Sequence, residues 1–502
     1  MKSEHLDVLI VGAGISGIAA GYHLQTACPD RTYAILEARD QIGGTWDLFR
    51  YPGIRSDSDM YTLGYSFKPW TNRKAIADGS SILEYLRETA SEHGIDRKIR
   101  FGHRVARASW SSDEARWTVE VERGASKEIV RFTCNFLFMC SGYYDYAQGH
   151  TPEFPGSDRF AGRIVHPQKW PEDIDYAGKR VVVIGSGATA VTLVPAMAEK
   201  AAHVTMLQRS PTYIISMPGE DRLANWLRRR LSSRVAYGIT RWKNVLLGLW
   251  FYRFCRRNPK RARMLIDRWL RNELGSGHDM RVHFNPRYDP WEQRMCLVPD
   301  SDLFTALRHG RASIVTDQIE TFTETGVRLR SGVELDADVI VTATGLNLRL
   351  LGGLDVSVDG EHVDFTKTFT YKGMMFSDVP NLAIAVGYTN ASWTLKAELI
   401  CRYVCRLLNH MERTGTRQCT PRLRDATLGQ EPFIALSSGY VQRAVHLFPK
   451  QGSKMPWRLH QNYARDLMML QRGRVDDGVM EFSNPRVRAA RDADGAGLVA
   501  AS

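Results

Sequence analysis

Short runs of β-branched and aliphatic residues punctuate this chain, and two of them end in glycine-rich turns. VLIVGAGISG carries Gly12, Gly14 and Gly17; VVVIGSGATA carries Gly185, Gly187 and Ala190. An unbroken apolar run of this length reads as a parallel strand buried on both faces. Residues 1–40 then read strand, glycine turn, helix, strand, and close on YAILEAR with Glu37 at the strand's carboxyl end. Residues 179–210 repeat the pattern. RWTVEVERG alternates like a hairpin strand and leads into EIVRFTCNFLFMCSG; VRLRSGVELDADVIVTATG, residues 327–345, echoes it. Both stretches end in a small residue and glycine, Ser141-Gly142 and Thr344-Gly345. A late strand in VPNLAIAVG, 379–387, precedes a helix from Leu395 to Glu412.

The pattern predicts an α/β fold with two Rossmann-like dinucleotide-binding domains and a helical insertion in the second. The expected division is 1–147 and 375–485 for the first domain, and 148–215 and 286–374 for the second. The insertion is expected at 216–285 and a disordered tail at 486–502. Glycines at these turns let backbone N–H groups approach a pyrophosphate at a helix N-terminus. The two turns differ downstream. Glu37 stands 25 residues past Gly12 and Arg209 stands 24 past Gly185. One offers an acid to a ribose diol, the other a cation where a 2′-phosphate would sit. That asymmetry points to FAD in the first site, NADPH in the second, and redox chemistry between them.

Composition narrows the class. At 502 residues and 43% hydrophobic, the chain is expected to form at least two globular domains. The first strand begins by Leu6, which leaves no room for a signal peptide, so a cytoplasmic location is expected. Eight cysteines form no CxxC pair; free thiols in a reducing compartment are expected, with no metal and no dithiol redox centre. The net charge of +12 is concentrated. From Arg222 to Arg271, fifteen Lys/Arg accompany one acid, Asp267. Trp226, Leu227, Leu231, Trp242, Leu246, Leu249 and Trp250 lie among them, as in basic amphipathic helices. Two readings stay open: a solvated basic face with its apolar side in the core, or contact with an anionic membrane surface. Nucleic acid is set aside, because no nucleic-acid module accompanies the charge.

Two motifs carry a more specific signal. GGTWDLFRYPGIRSD spans 43–57, and FAGRIVHPQKWP spans 160–171. In the second, Phe160, Gly162, His166, Trp170 and Pro171 fit FxGxxxHxxxWP. The chain resembles the Baeyer–Villiger monooxygenases, which carry that fingerprint and a companion Gly-Gly-x-Trp, Tyr-Pro-Gly and Asp block. The resemblance implies an enzyme that uses FAD, NADPH and O2 to convert ketones, open-chain or aryl, to esters through a flavin 4a-peroxide. Oxidation of sulfides or thioamides is the companion expectation, and a monooxygenase acting mainly on sulfur or nitrogen compounds is the alternative. A disulfide reductase lacks support without a CxxC.

The resemblance also implies roles. Arg294, in YDPWEQRMCLVP, matches the catalytic arginine, paired with Asp57. Gly12, Gly14, Ser16, Gly17, Glu37, Gly44, Thr45, Trp46, Asp47, Leu48, Asp57 and Val105 match FAD positions. Arg55, Ser56, Gly185, Ser186, Gly187, Ala188, Thr189, Arg209 and Ser210 match NADPH positions. His166 fits a linker role better than a proton donor's. One departure stands out: Gln293 precedes Arg294 where many relatives have lysine, so NADPH preference rests on Arg209 and Ser210.

Overall fold

A computed structural model describes residues 4–277 and 279–485. The tail expected at 486–502 lies outside them. Two sheets organise the rest. The first has nine strands. Its parallel part sets Glu4–Val11 between Tyr33–Leu36 and the long strand Glu128–Met139. Val8, Leu9 and Ile10 are fully buried, as a strand covered on both faces requires. Glu128–Met139 serves two neighbours: it runs antiparallel to Arg116–Arg123 and parallel to Glu4–Val11. Leu382–Ile384 adds a parallel strand to it. The helices Ile15–Ala27 and Trp393–Thr414 cover one face of this sheet through a shared apolar cluster.

The second sheet has five strands, all parallel: Ala312–Thr316, His203–Gln208, Arg180–Ile184, Val339–Thr342 and Arg163–Val165 in spatial order. Two crossing strands join the bodies. Tyr144–Gly149 leads out of the first and pairs antiparallel with Leu346–Leu348, which leads back.

The return comes earlier than expected. Asp355–Val358 pairs with His103–Ser111 at the edge of the first sheet, and Glu361–His362 pairs with it in turn. Residues 355–362 therefore belong to the first body, not to a second-domain segment reaching 374. The insertion forms the helices Arg222–Arg228, Ser233–Arg257, Pro259–Leu274 and Met280–His283. All eight cysteines are buried and free.

Candidate active site between two nucleotide cradles

The first cradle lies where Glu4–Val11 turns into Ile15–Ala27. Gly12 has φ +106°, and a Cβ there would lie 2.7 Å from the Cys140 carbonyl oxygen. A Cβ on Gly17 would run into the Gly12 carbonyl oxygen. The helix starts at Gly14 with no side-chain cap, so its first N–H groups remain open to an anion. Glu37 is buried. Its carboxylate accepts the Ala13 N–H at 2.8 Å and the Arg39 N–H at 2.9 Å, while burial pushes its pKa up. Four lone-pair sites on a carboxylate leave room for a ribose hydroxyl. Ser16 Oγ accepts the Trp393 indole N–H at 2.8 Å.

The 43–57 block packs beside this turn. Thr45, Trp46 and Leu48 are half-buried, and Thr45 Oγ1 lies 3.3 Å from the Tyr146 hydroxyl. Asp47 is buried, and its carboxylate is held by Arg39 and by Arg50, the latter at 3.1 Å. Val105 is half-buried at an irregularity in the pairing of His103–Ser111.

The second cradle repeats the geometry. Gly185 has φ +136°, and a Cβ there would meet the Ala343 carbonyl oxygen. Nothing stands within 4 Å of a Cβ on Gly187. Ala188–Met197 also begins without a side-chain cap. Gly187 and Ala188 are exposed and Thr189 is half-buried. Ser186 Oγ donates to the Ser210 carbonyl at 3.2 Å and lies 2.9 Å from Thr212 Oγ1. Arg209 and Ser210 are exposed, and Arg209 has no ion-pair partner among the described residues.

Two of the expected NADPH contacts also have partners within the chain. Arg55 pairs with Asp302, its second nitrogen 3.4 Å from Asp302 Oδ1. Ser56 is buried and its hydroxyl accepts the Ala77 N–H at 3.2 Å.

Between the cradles, Arg294 meets Asp57 at 2.8 Å. Asp57, from the tight 43–57 loop, anchors the guanidinium from the far side of the chain. A small cavity of about 10 Å³ opens onto Arg294 and is walled by Tyr143, Gly387, Tyr388, Ile434, Leu436 and Tyr440. The Asp57 charge raises the arginine's pKa further, so the guanidinium stays protonated. Burial raises the phenols of Tyr143 and Tyr440, which stay neutral. The arrangement is a fixed, partly exposed cation beside aromatic side chains, suited to hold negative charge on a small oxygen atom. Tyr388 is itself held: its hydroxyl donates to Asp466 at 2.7 Å, and Lys396 pairs with the same carboxylate at 2.7 Å.

His166 sits outside this cavity. Its Nε2 lies 3.2 Å from the Gly345 carbonyl, and its Nδ1 accepts the Gln168 N–H at 3.2 Å. Gln168 in turn donates to the Asp145 carbonyl at 2.8 Å. A Cβ on Gly149 would run into the imidazole ring. His166 thus clamps the two crossing strands. The other fingerprint residues pack into the second body. Phe160 is buried beside Phe322, Gly162 lies against the Asp338 carbonyl, and Trp170 and Pro171 are half-buried.

Known proteins share this organisation along almost the whole chain. It is 56% identical over 482 residues to the FAD-containing monooxygenase EthA of Mycobacterium tuberculosis, covering 96% of this chain and 98% of that protein. The chain belongs to the flavin-binding monooxygenase family. The family model for flavin-binding monooxygenase-like proteins matches residues 6–236 of the enzyme. The enzyme is also 49% identical to the probable FAD-binding monooxygenase AlmA of Acinetobacter baylyi, over 95% of this chain and 96% of that protein. Among solved structures, an oxidized steroid monooxygenase bound to NADP shares the fold with a TM-score of 0.74 at 22% identity. It covers 96% of this chain and 100% of that one.

The structure adds site residues to the monooxygenase that no motif announced. Tyr143, Tyr388, Ile434 and Tyr440 form the cavity wall. Tyr143 and Tyr388 had a local signal: each directly follows an apolar strand ending in glycine, Gly142 and Gly387. Ile434 and Tyr440 lie in a loop-rich segment without periodicity.

Proposed function

We propose that the enzyme is a Baeyer–Villiger monooxygenase: ketone, O2, NADPH and a proton give ester, water and NADP. Open-chain and aryl ketones are its substrates, and sulfides and thioamides are oxidised in the same cavity. The observation that carries this reading is the Arg294–Asp57 pair, set at 2.8 Å on the wall of an aromatic cavity between two unlike nucleotide cradles. FAD, when bound, supplies the oxygen-activating and hydride-accepting chemistry. The uncapped start of Ile15–Ala27 and the Glu37 carboxylate would hold FAD. The start of Ala188–Met197, with Arg209 and Ser210, would hold NADPH. The open helix starts and the glycine approaches fit both groups.

The chain's own contribution is positioning and electrostatics. Arg294 directs N–H donors into the cavity, where they stabilise negative charge developing on a carbonyl oxygen. Asp57 orients that guanidinium. Tyr143, Tyr440 and Ile434 limit water around the reacting atoms.

The test is incubation of the purified holoenzyme with NADPH, labelled O2 and a panel of methyl ketones and methyl sulfides. One labelled oxygen in an ester product supports the proposal. Sulfoxide formation with no ester from any ketone would assign the enzyme to sulfur or nitrogen oxygenation instead.

A further inference from the structure

The Ser233–Arg257 helix packs with the opposite face inward from the one its apolar residues suggest. Val235, Ile239, Trp242, Leu246 and Trp250 fall on one stripe at about 100° per residue, and they are 44–61% exposed. The buried face carries Ala236, Tyr237, Thr240, Arg241, Val245 and Cys255 instead. Arg241 fixes that orientation. It donates to the carbonyls of Tyr61 at 2.8 Å and Gly64 at 2.7 Å, and pairs with buried Glu398 at 3.1 Å. Leu223 and Trp226 on the preceding helix, and Met264 and Leu265 on the next one, are exposed too. A soluble surface rarely gathers so many large apolar side chains in one place.

Charge names the occupant. Of the fifteen cations between Arg222 and Arg271, Arg241, Lys243, Arg263 and Arg271 have carboxylate partners among the described residues. The others do not. Arg229, Arg230 and Arg234 flank one end of the stripe; Arg253, Arg256 and Arg257 flank the other, all exposed. Two copies of this face would repel each other. Among the described residues no helix is long and apolar enough to cross a membrane. An apolar stripe set between clusters of unpaired cations matches an anionic lipid surface, with the aromatic and aliphatic side chains in the acyl boundary and the cations at the headgroups.

We propose that the helical insertion docks the enzyme on the surface of anionic bilayers, lying in the interface without spanning it. The test is sedimentation of the full-length holoenzyme with phosphatidylcholine vesicles, with and without phosphatidylglycerol, at low and high salt. The expected result is binding that needs phosphatidylglycerol and weakens with salt. Arg253→Glu/Arg256→Glu/Arg257→Glu should weaken it at least a hundredfold, at about fivefold for each cation removed. Leu246→Ser/Trp250→Ser should weaken it while leaving ketone turnover in vesicle-free buffer unchanged, which separates lost docking from lost folding. Absence of binding to anionic vesicles would overturn the proposal. So would a concentration-dependent dimer that the Leu246→Ser/Trp250→Ser variant abolishes, which would assign the face to a second copy.

Discussion

Replacing Arg294 and Asp57 separately distinguishes a catalytic cation from a structural ion pair. Removing one preorganised donor to a developing oxyanion typically lowers kcat by about a hundredfold to a thousandfold. Arg294→Ala should therefore lose ester formation by about that factor while NADPH still reduces the flavin. Asp57 acts through Arg294, and its loss should cost less. Two unit charges about 4 Å apart attract by about 4 kcal/mol at an effective dielectric near 20. The side chains are 31% and 40% exposed, so water reduces the worth of the pair to about 1–2 kcal/mol. Asp57→Ala should then lower ester formation by about tenfold. Stopped-flow reduction of the flavin, NADPH consumption and ester yield from a methyl ketone separate the steps. In Arg294→Ala, NADPH should drain into hydrogen peroxide. Ester formation by Arg294→Ala within tenfold of wild type would refute the assignment. So would equal losses in flavin reduction and ester formation, which would mark a defect in the fold or in NADPH binding.

Arg209 is exposed without an ion-pair partner among the described residues, so Arg209→Ala should raise KM for NADPH by about tenfold or more and leave KM for NADH nearly unchanged. Steady-state kinetics with both nucleotides measures this, and parallel shifts would reject the 2′-phosphate contact. Gly149→Ala should lower stability by about 1–3 kcal/mol, because the new methyl group would run into the His166 ring; an unchanged melting temperature would show that the crossing strands yield freely. Burial holds the His166 pKa below the 6.5 of an ordinary imidazole, so folding favours the neutral ring. Its contribution to stability is then complete above pH 6.5 and is lost as pH falls through the folded-state pKa. His166→Asn should flatten the fall in melting temperature on acidification, and parallel curves for the two proteins would count against the clamp.

The parallel strands were legible because burial on both faces leaves a continuous apolar run, as in Val8–Ile10 and Val181–Ile184. The glycine turns were legible because backbone approach at Gly17 and Gly185 excludes a side chain whatever the rest of the chain does. The 355–362 hairpin was not legible. Its alternation says strand, but its partner is His103–Ser111, and nothing local selects one sheet edge over another. The cavity was hidden for the same reason. Tyr143, Arg294, Tyr388 and Tyr440 meet only after two bodies and a late loop have packed.

The insertion shows most sharply what periodicity can and cannot say. A period near 3.6 identifies an amphipathic helix from Ser233 to Arg257, and the ordinary expectation turns its large apolar stripe inward. That expectation fails here for an electrostatic reason. Glu398 lies buried on the Trp393–Thr414 helix, where it accepts the Ser66 N–H and hydroxyl. A lone carboxylate at that depth would be costly. His23 stands 3.6 Å away but carries charge only when protonated, so the permanent cation is the one delivered from the insertion. Arg241 supplies that charge and also satisfies the free carbonyls of Tyr61 and Gly64. Turning Arg241 inward necessarily turns Trp242, Leu246 and Trp250 outward. The same contact that ties the insertion to the nucleotide-binding body thus exposes the apolar stripe, so membrane docking and the rigidity of the insertion should be inseparable. Arg241→Met would leave Glu398 without its permanent cation and release the helix. Glu398→Gln in the same chain should restore much of the lost stability, with vesicle binding recovering alongside it.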